Sequence, residues 1–507
     1  MTGDSRLNRQ RRERELAEVT DGRVVDLLVI GLGITGAGVA LDAATRGLSV
    51  VAIDAHDLAF GTSRWSSKLA HGGLRYLAKG RVGIAHESAV ERGVLMTRTA
   101  PHLTRAVPWL VPDFVDDPRH AGALTYAGFV GGDLLRRVAH TPGSLLPRPR
   151  RIGMSEAMIH APGLRRSGLR GATLGWDSQL TDDARLVVAV ARTSAAHGAR
   201  VLTRTRALEA TGDGARVRDE LTGSAYDIRA RAVINATGVW ADQLAPGISL
   251  RPSRGTHLVV RSEAVGAANC VVNAPVPGHF GRFVFTLPQL DGRTYIGLTD
   301  EAVDGPVPDE PTPTQGEVDF LLATVNAVLD RAITTDDVIG AYAGLRPLIE
   351  ADGATADLSR EHAVLVAPDG MVTVVGGKLT TYRRMAQDAV DRVVRERHLG
   401  GGPCITARTP LVGAASRDEL ARIDAPSRLI RRYGAEAPLL LTDPGRLAMI
   451  SDEVPTIPAE FDFALSHEGA LDVDDLLDRR TRVGLVAADR AAALRTAQES
   501  LAAYGTD

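Results

Sequence analysis

Residues 26–77 read DLLVIGLGITGAGVALDAATRGLSVVAIDAHDLAFGTSRWSSKLAHGGLRYL, and their first half decides the fold. An apolar strand, Val25 to Ile30, runs into Gly31, Gly33 and Gly36. A small-residue helix closed by Gly47 follows, and a second strand, Ser49 to Ile53, ends at Asp54. In such a βαβ unit the first glycine permits the tight turn. The second lets a pyrophosphate approach the backbone, and the third lets helix and strand pack closely. The helix N-terminus offers N–H groups to phosphate, and Asp54 is placed to accept from a ribose hydroxyl. Strand, turn, helix, strand and acid, in that order, predict a dinucleotide site.

Around this unit the chain is ordinary in bulk. Its 507 residues exceed one typical core, so two or three domains are expected. Apolar content of 44%, charged content of 24% and a net charge of −3 describe a globular protein with no field suited to nucleic acid. Aromatics at 4% are too sparse for stacking platforms. Two distant cysteines, Cys270 and Cys404, give no disulfide framework and no metal signature, so no metal is expected and a reducing cytoplasm fits best. No signal-peptide core opens the chain, and the most apolar run, residues 24 to 44, is interrupted by Asp26, Asp42 and glycines, so no span is expected. Residues 1–20 carry Arg6, Arg9, Arg11, Arg12 and Arg14. They read as a solvated, partly disordered arm. Adhesion to an anionic lipid surface is the sharper alternative, weakened by the poor apolar face of Leu7, Leu16 and Val19.

Further along, residues 100 to 170 look irregular, rich in Pro and Gly. Asp182 to His197 has a helical pattern feeding the strand Arg200 to Thr203. Ala232 to Ala236 is a strand ending in Thr237-Gly238, and residues 255 to 300 alternate as an antiparallel sheet would. Met371 to Val375 leads into Gly376-Gly377 and a helix from about Thr380, and Gly400 to Pro403 reads as a linker. The expected architecture is α/β: a discontinuous Rossmann-like FAD-binding domain of the glutathione-reductase type (21–100, 170–255 and 345–400) with an inserted β-rich substrate domain (101–169 and 256–344). An α-helical C-terminal domain (404–507), including the helical pattern Asp472 to Arg482, follows.

The choice of FAD over a nicotinamide cofactor rests on what comes after Asp54. The run Gly61-Thr62-Ser63-Arg64-Trp65-Ser66-Ser67-Lys68 offers small hydroxyl residues that allow close approach to a flat ring and donate to phosphates and polyol. Two later glycine turns, Ala236-Thr237-Gly238 and Gly376-Gly377-Lys378, add contacts from separated segments, as an extended FAD requires.

The sequence resembles the aerobic, FAD-dependent glycerol-3-phosphate dehydrogenase family. The resemblance is carried by G-T-S-x-x-S-S-K-L-x-H-G-G-L-R-Y-L, W-D-x-x-x-x-D-D-A-R-L (Trp176 to Leu186) and N-A-T-G-V-W (Asn235 to Trp240). R-G-T-H (Arg254 to His257), G-L-R-P-L (Gly344 to Leu348) and G-G-K-L-T-T-Y-R (Gly376 to Arg383) complete it, in order over residues 25 to 395. His467 to Leu485 resembles that family's C-terminal helical domain. Trp65, Ala70 and Val239 depart from the commonest family pattern, Trp65 at a position where a small residue is usual.

The resemblance implies oxidation of sn-glycerol 3-phosphate to dihydroxyacetone phosphate by hydride transfer to FAD. It places FAD contacts at Gly31, Gly33, Thr35, Gly36, Asp54, Thr62, Ser63, Ser66, Ser67, Lys68, His71, Gly72, Ala207, Ala236, Gly238, Gly377, Leu379 and Thr380. Arg75, Tyr76 and Arg360 would hold the phosphate, Thr299 and Asp300 would shape the pocket, and Arg346 and Lys378 would lie nearer the reacting carbon. His257 is the candidate general base, since imidazole is poised near neutral pH and nearby cations would keep it neutral. The family's usual electron acceptor is a membrane quinone, reached by a peripheral protein at the inner face of the cell membrane. An oxidase passing electrons to oxygen shares every motif quoted. Amine or sarcosine-type oxidation on the same fold, and a non-catalytic flavin holder, are further alternatives, and the oligomeric state, a homodimer included, stays open.

Overall fold

The computed structural model describes residues 3–78, 80–117, 121–245, 247–279, 281–350 and 361–505. A six-stranded sheet forms its nucleotide-binding layer, in the order His362–Val366, Val372–Gly376, Val233–Asn235, Leu27–Ile30, Val50–Ile53, Arg200–Leu202. All neighbours are parallel except the first pair. Successive side chains of a strand face opposite sides, and here both sides are covered. Leu27, Val29, Val50 and Ala52 pack into a core with the helices Ile34–Thr45, Asp183–Ala196 and Tyr382–Glu396. Leu28, Ile30, Val51 and Ile53 pack on the other side, against Ala215, Val217 and Ile228 of a three-stranded meander. This burial on both faces explains why the central strands are uninterrupted apolar runs.

The second layer is a ten-stranded sheet. Its main path runs Glu301–Ala302, Ser253–Arg261, Arg293–Gly297, Phe283–Pro288, Val271–Pro275, Thr104–Phe114, Leu169–Leu180, Leu69–Ala70. Val338–Arg346 pairs with Ser253–Arg261, and Arg150–Gly153 with Leu169–Leu180. One face of this sheet packs on the helix Gln315–Asn326 through Leu258, Ile296, Val272 and Leu110. In the opposite register, His257 stands beside Gly297, Gly297 beside Phe285, and Phe285 beside Asn273. The stretch expected to be irregular instead holds the eleven-residue strand Thr104–Phe114 and the eighteen-residue helix Ala121–Val138. Leu169–Leu180 belongs to the large sheet, and the chain re-enters the nucleotide-binding layer at Asp183–Ala196.

The leader is a correction. Asn8 caps the helix Arg9–Val19 by accepting from the Arg11 N–H. Arg12 is buried, donating to Asp219 at 2.5 Å and to the Thr203 carbonyl at 2.8 Å. Arg11 pairs with Glu15 at 2.7 Å, so two of the five arginines turn inward and the described part of the arm is ordered. Upstream, the Leu7 N–H donates to the His467 carbonyl at 2.9 Å and the Gly469 N–H to the Leu7 carbonyl at 2.8 Å, strapping the leader to the C-terminal domain.

That domain packs Phe461, Leu465, Leu476, Leu477, Ala493 and Ala497 into a core of its own. It docks through buried charge. Asp57 accepts from Arg480 at 2.7 and 2.8 Å and from Arg479 at 2.7 Å, and Glu468 accepts from Arg185 at 2.7 and 2.8 Å. Among the described residues no helix is long and apolar enough to cross a membrane.

Candidate active site

A cavity of about 1420 Å³ runs from the glycine turns of the parallel sheet to the face of the large sheet that carries His257. At its nucleotide end Gly31 adopts φ +101°, and a Cβ there would stand 2.6 Å from the Ala236 carbonyl oxygen. A Cβ on Gly36 would stand 1.7 Å from the Gly31 carbonyl oxygen, so the predicted close packing of helix on turn is built in. Asp54 accepts from the Leu32 N–H at 2.6 Å and the His56 N–H at 2.8 Å. Burial raises its carboxyl to about 6 against those donors. Each oxygen keeps a lone pair for a ribose hydroxyl.

The hydroxyl run is pinned from behind. Ser63 Oγ accepts from the Ile34 N–H at 2.9 Å, and Thr62 donates to the Leu345 carbonyl at 2.5 Å. Asp183 accepts from the Ser66 N–H at 2.9 Å, from Ser66 Oγ at 2.7 Å and from Lys68 Nζ at 2.8 Å. Lys68 is therefore a correction. Its ammonium is turned from the cavity into a buried ion pair, with burial pulling it down to about 8. Gly72 is another. Its N–H donates to Asp177, and a Cβ there would strike Arg92, so it too faces away. Gly36 likewise packs against the turn without lining the cavity.

Gly31, Gly33, Thr35, Asp54, Thr62, Ser63, Ser66, Ser67, His71, Ala207, Ala236, Gly238, Gly377, Leu379 and Thr380 all line the cavity. The residues present fit FAD on three counts: a turn that any Cβ would fill, a carboxylate at the second strand's end, and glycine turns from three separated segments along one continuous cavity.

His257, Arg346, Lys378, Tyr76, Thr299 and Asp300 line the same cavity. Arg346 reaches Asp300 at 3.4 Å, Ser253 at 3.3 Å and the Thr299 carbonyl at 3.3 Å. Thr299 donates to Glu317 at 2.7 Å and accepts from the Thr256 N–H at 2.9 Å. Lys378 donates to Ser88 Oγ and lies 4.3 Å from the Tyr76 ring centre. His257 is 2% exposed, its Nε2 is 2.9 Å from Ser67 Oγ, and its ring stacks on Tyr342 at 4.8 Å. Burial, then Lys68 and Arg346, hold it well below the usual imidazole range, so it is neutral. The Arg75 side chain and the whole of Arg360 lie outside the described residues.

Sequence reasoning missed the aromatic wall of Trp109, Phe283 and Phe285. It also missed Tyr342 against His257, Glu317 behind Thr299, and Asp183 behind the hydroxyl run. Asp183 sits inside a quoted motif, so its signal was present, and the alternation Phe283, Phe285 was open to a period-two reading.

The match to known proteins covers nearly the whole chain. A family model described as FAD dependent oxidoreductase matches residues 26–383, and one described as the C-terminal domain of alpha-glycerophosphate oxidase matches residues 404–504. The chain is 52% identical over 517 aligned residues to Glycerol-3-phosphate dehydrogenase 1 of Mycobacterium tuberculosis, covering 99% of each. It is 36% identical over 491 residues to Glycerol-3-phosphate dehydrogenase 2 of the same organism, covering 91% of this chain and 81% of that one. Among solved structures, the glycerol-3-phosphate dehydrogenase from Bacillus halodurans complexed with FAD superposes with a TM-score of 0.74 at 26% identity, over 98% of this chain and 94% of that chain.

Proposed function

Because this chain belongs to the FAD-dependent glycerol-3-phosphate dehydrogenase family, we propose that it oxidises sn-glycerol 3-phosphate to dihydroxyacetone phosphate and passes the electrons to a membrane quinone. The observation that carries this reading is that His257, Arg346, Lys378, Tyr76 and Thr299 line the one cavity that also takes in the dinucleotide turn. FAD, when bound, supplies the acceptor for a hydride from the carbinol carbon. The chain supplies the rest. Arg346 and Lys378 present cationic donors to an anionic substrate, and the Arg346 fork is oriented by Asp300, Ser253 and the Thr299 carbonyl. His257, held neutral, accepts the hydroxyl proton at Nε2. Trp109, Phe283 and Phe285 keep water from the reacting end.

The quinone and a peripheral seat at the inner face of the cell membrane are supported by the helix Ala121–Val138. Leu124, Val130, Leu134 and Val138 are between 44% and 61% exposed, and Leu124 also lines the cavity. An apolar face of that kind suits contact with a bilayer that delivers an apolar acceptor. The oxygen-using alternative is favoured by one observation, the oxidase described by the C-terminal family match.

Anaerobic mixing of the yellow protein with sn-glycerol 3-phosphate tests the reading. Bleaching is expected with that substrate and not with glycerol or sarcosine. Re-oxidation is expected to be at least about 100-fold faster with a soluble quinone at its working concentration than with air-saturated buffer, a difference of about 2.7 kcal/mol in barrier. Equal re-oxidation by air would make the protein an oxidase. No bleaching at all would overturn the substrate.

A further inference from the structure

His257 borders the cavity but offers it almost no surface. Its ring is 2% exposed, and one face is covered by Tyr342 at an interplanar angle of 13°. Its Cδ2 edge lies so near Gly297 that a Cβ there would come within 2.2 Å. Nδ1 is buried and has no hydrogen-bond partner among the described residues. The contact left to the ring's other nitrogen is Ser67 Oγ, 2.9 Å from Nε2, and Ser67 lines the cavity and is partly exposed. Ser67 is also rigidly placed. Its neighbour Ser66 is tied to Asp183 through both N–H and Oγ, and its other neighbour Lys68 is locked to the same carboxylate.

Resting on the function proposed above, we propose that Ser67 is a catalytic residue: its Oγ takes the proton of the substrate hydroxyl and hands its own proton to His257 Nε2. The step balances. The substrate O–H and carbinol C–H bonds break and the carbonyl forms. The two electrons of the C–H bond leave with the hydride to FAD, the proton ends on His257, and it returns to water through the same hydroxyl after product leaves. Burial, together with the charges of Lys68 and Arg346, keeps the resting ring neutral. A docked phosphate dianion offsets them and makes the ring more basic when substrate is present.

The test is stopped-flow reduction of the flavin-loaded enzyme by sn-glycerol 3-phosphate without oxygen. Ser67→Ala, compared at the same flavin occupancy and saturating substrate, is expected to slow flavin reduction about 100-fold, the usual scale of proton-transfer catalysis. Ser67→Thr, which keeps the hydroxyl, should stay within about 10-fold of the parent. The double variant Ser67→Ala with His257→Asn should be no slower than the slower single variant, because both act on one path. Wild-type rates in Ser67→Ala would overturn the relay. So would equal losses in Ala and Thr accompanied by weakened flavin binding, which would make Ser67 a cofactor contact only. Multiplicative losses in the double variant would also overturn it. A parent enzyme that this substrate does not bleach overturns the proposed function itself, and the relay with it.

Discussion

Asp54 is held between binding and stability. Burial keeps its carboxyl protonated to about pH 6, whereas in the unfolded chain it ionises near 3.8, as a free aspartate does. Between those values the folded state binds more protons, so this group's contribution to stability is full below 3.8 and declines as pH rises through about 6. The ionised form is the one that accepts two ribose hydroxyls. FAD affinity should therefore fall as pH drops through about 6, measured by flavin fluorescence on titrating the flavin-free protein. Asp54→Asn should flatten that dependence and weaken FAD about 10- to 100-fold at neutral pH. The residues of this site were legible where chemistry and backbone coincide: Gly31, Asp54 and the hydroxyls of 62–67 have little choice of direction. Lys68 was misread because adjacency to a motif does not say which way a side chain points. It has φ +55°, and the chain turns there before the strand Leu69–Ala70. His257 was legible as a candidate base by residue type, but its contact with Ser67 needed three dimensions.

Between elements, buried charge does what apolar contact does elsewhere. Burial alone would raise the Asp57 carboxyl, but Arg480 and Arg479 outweigh it and hold it far below the usual carboxylate range. The stability it gives is present at neutral pH and is lost only in strong acid. Asp57→Asn leaves two buried guanidiniums facing a neutral amide and should destabilise the protein by about 3–5 kcal/mol, read by urea unfolding of the holoenzyme. The same linkage continues to the cofactor, since Arg482 donates to the Arg64 carbonyl at 2.6 Å inside the hydroxyl run. The unfolding transition should therefore carry flavin release with it. The glycine-marked βαβ unit was legible as an element because local pattern and packing agree. The helix Ala121–Val138 was not, since Gly122, Gly128, Gly131 and Gly132 lower its helical propensity. Three of those glycines are packing positions, because a Cβ on Gly122 would meet Asp113, one on Gly131 would meet Leu77 and one on Gly132 would meet Leu74. The leader misled for a related reason: Arg12 looks like a surface charge until Asp219, far along the chain, supplies its partner.

For the molecule as a whole, the cavity and the exposed apolar helix face share a wall. If that face seats the protein on a bilayer, Leu134→Glu with Val130→Asp should abolish co-sedimentation with anionic liposomes and slow turnover with a long-tailed quinone by at least about 10-fold. Bleaching by substrate, and turnover with a water-soluble dye, should be unchanged. Retained sedimentation would remove this helix from the membrane surface.

The strap between Leu7 and residues 467–469 also has a bearing on biosynthesis. The partners of Leu7 are made about 460 residues after it, and the clamp on the flavin loop, Arg482, later still. While residues 467–482 remain in the ribosome's exit tunnel, neither closure exists. A chain made only as far as residue 466 carries its nucleotide-binding core with an undocked leader and an unclamped loop.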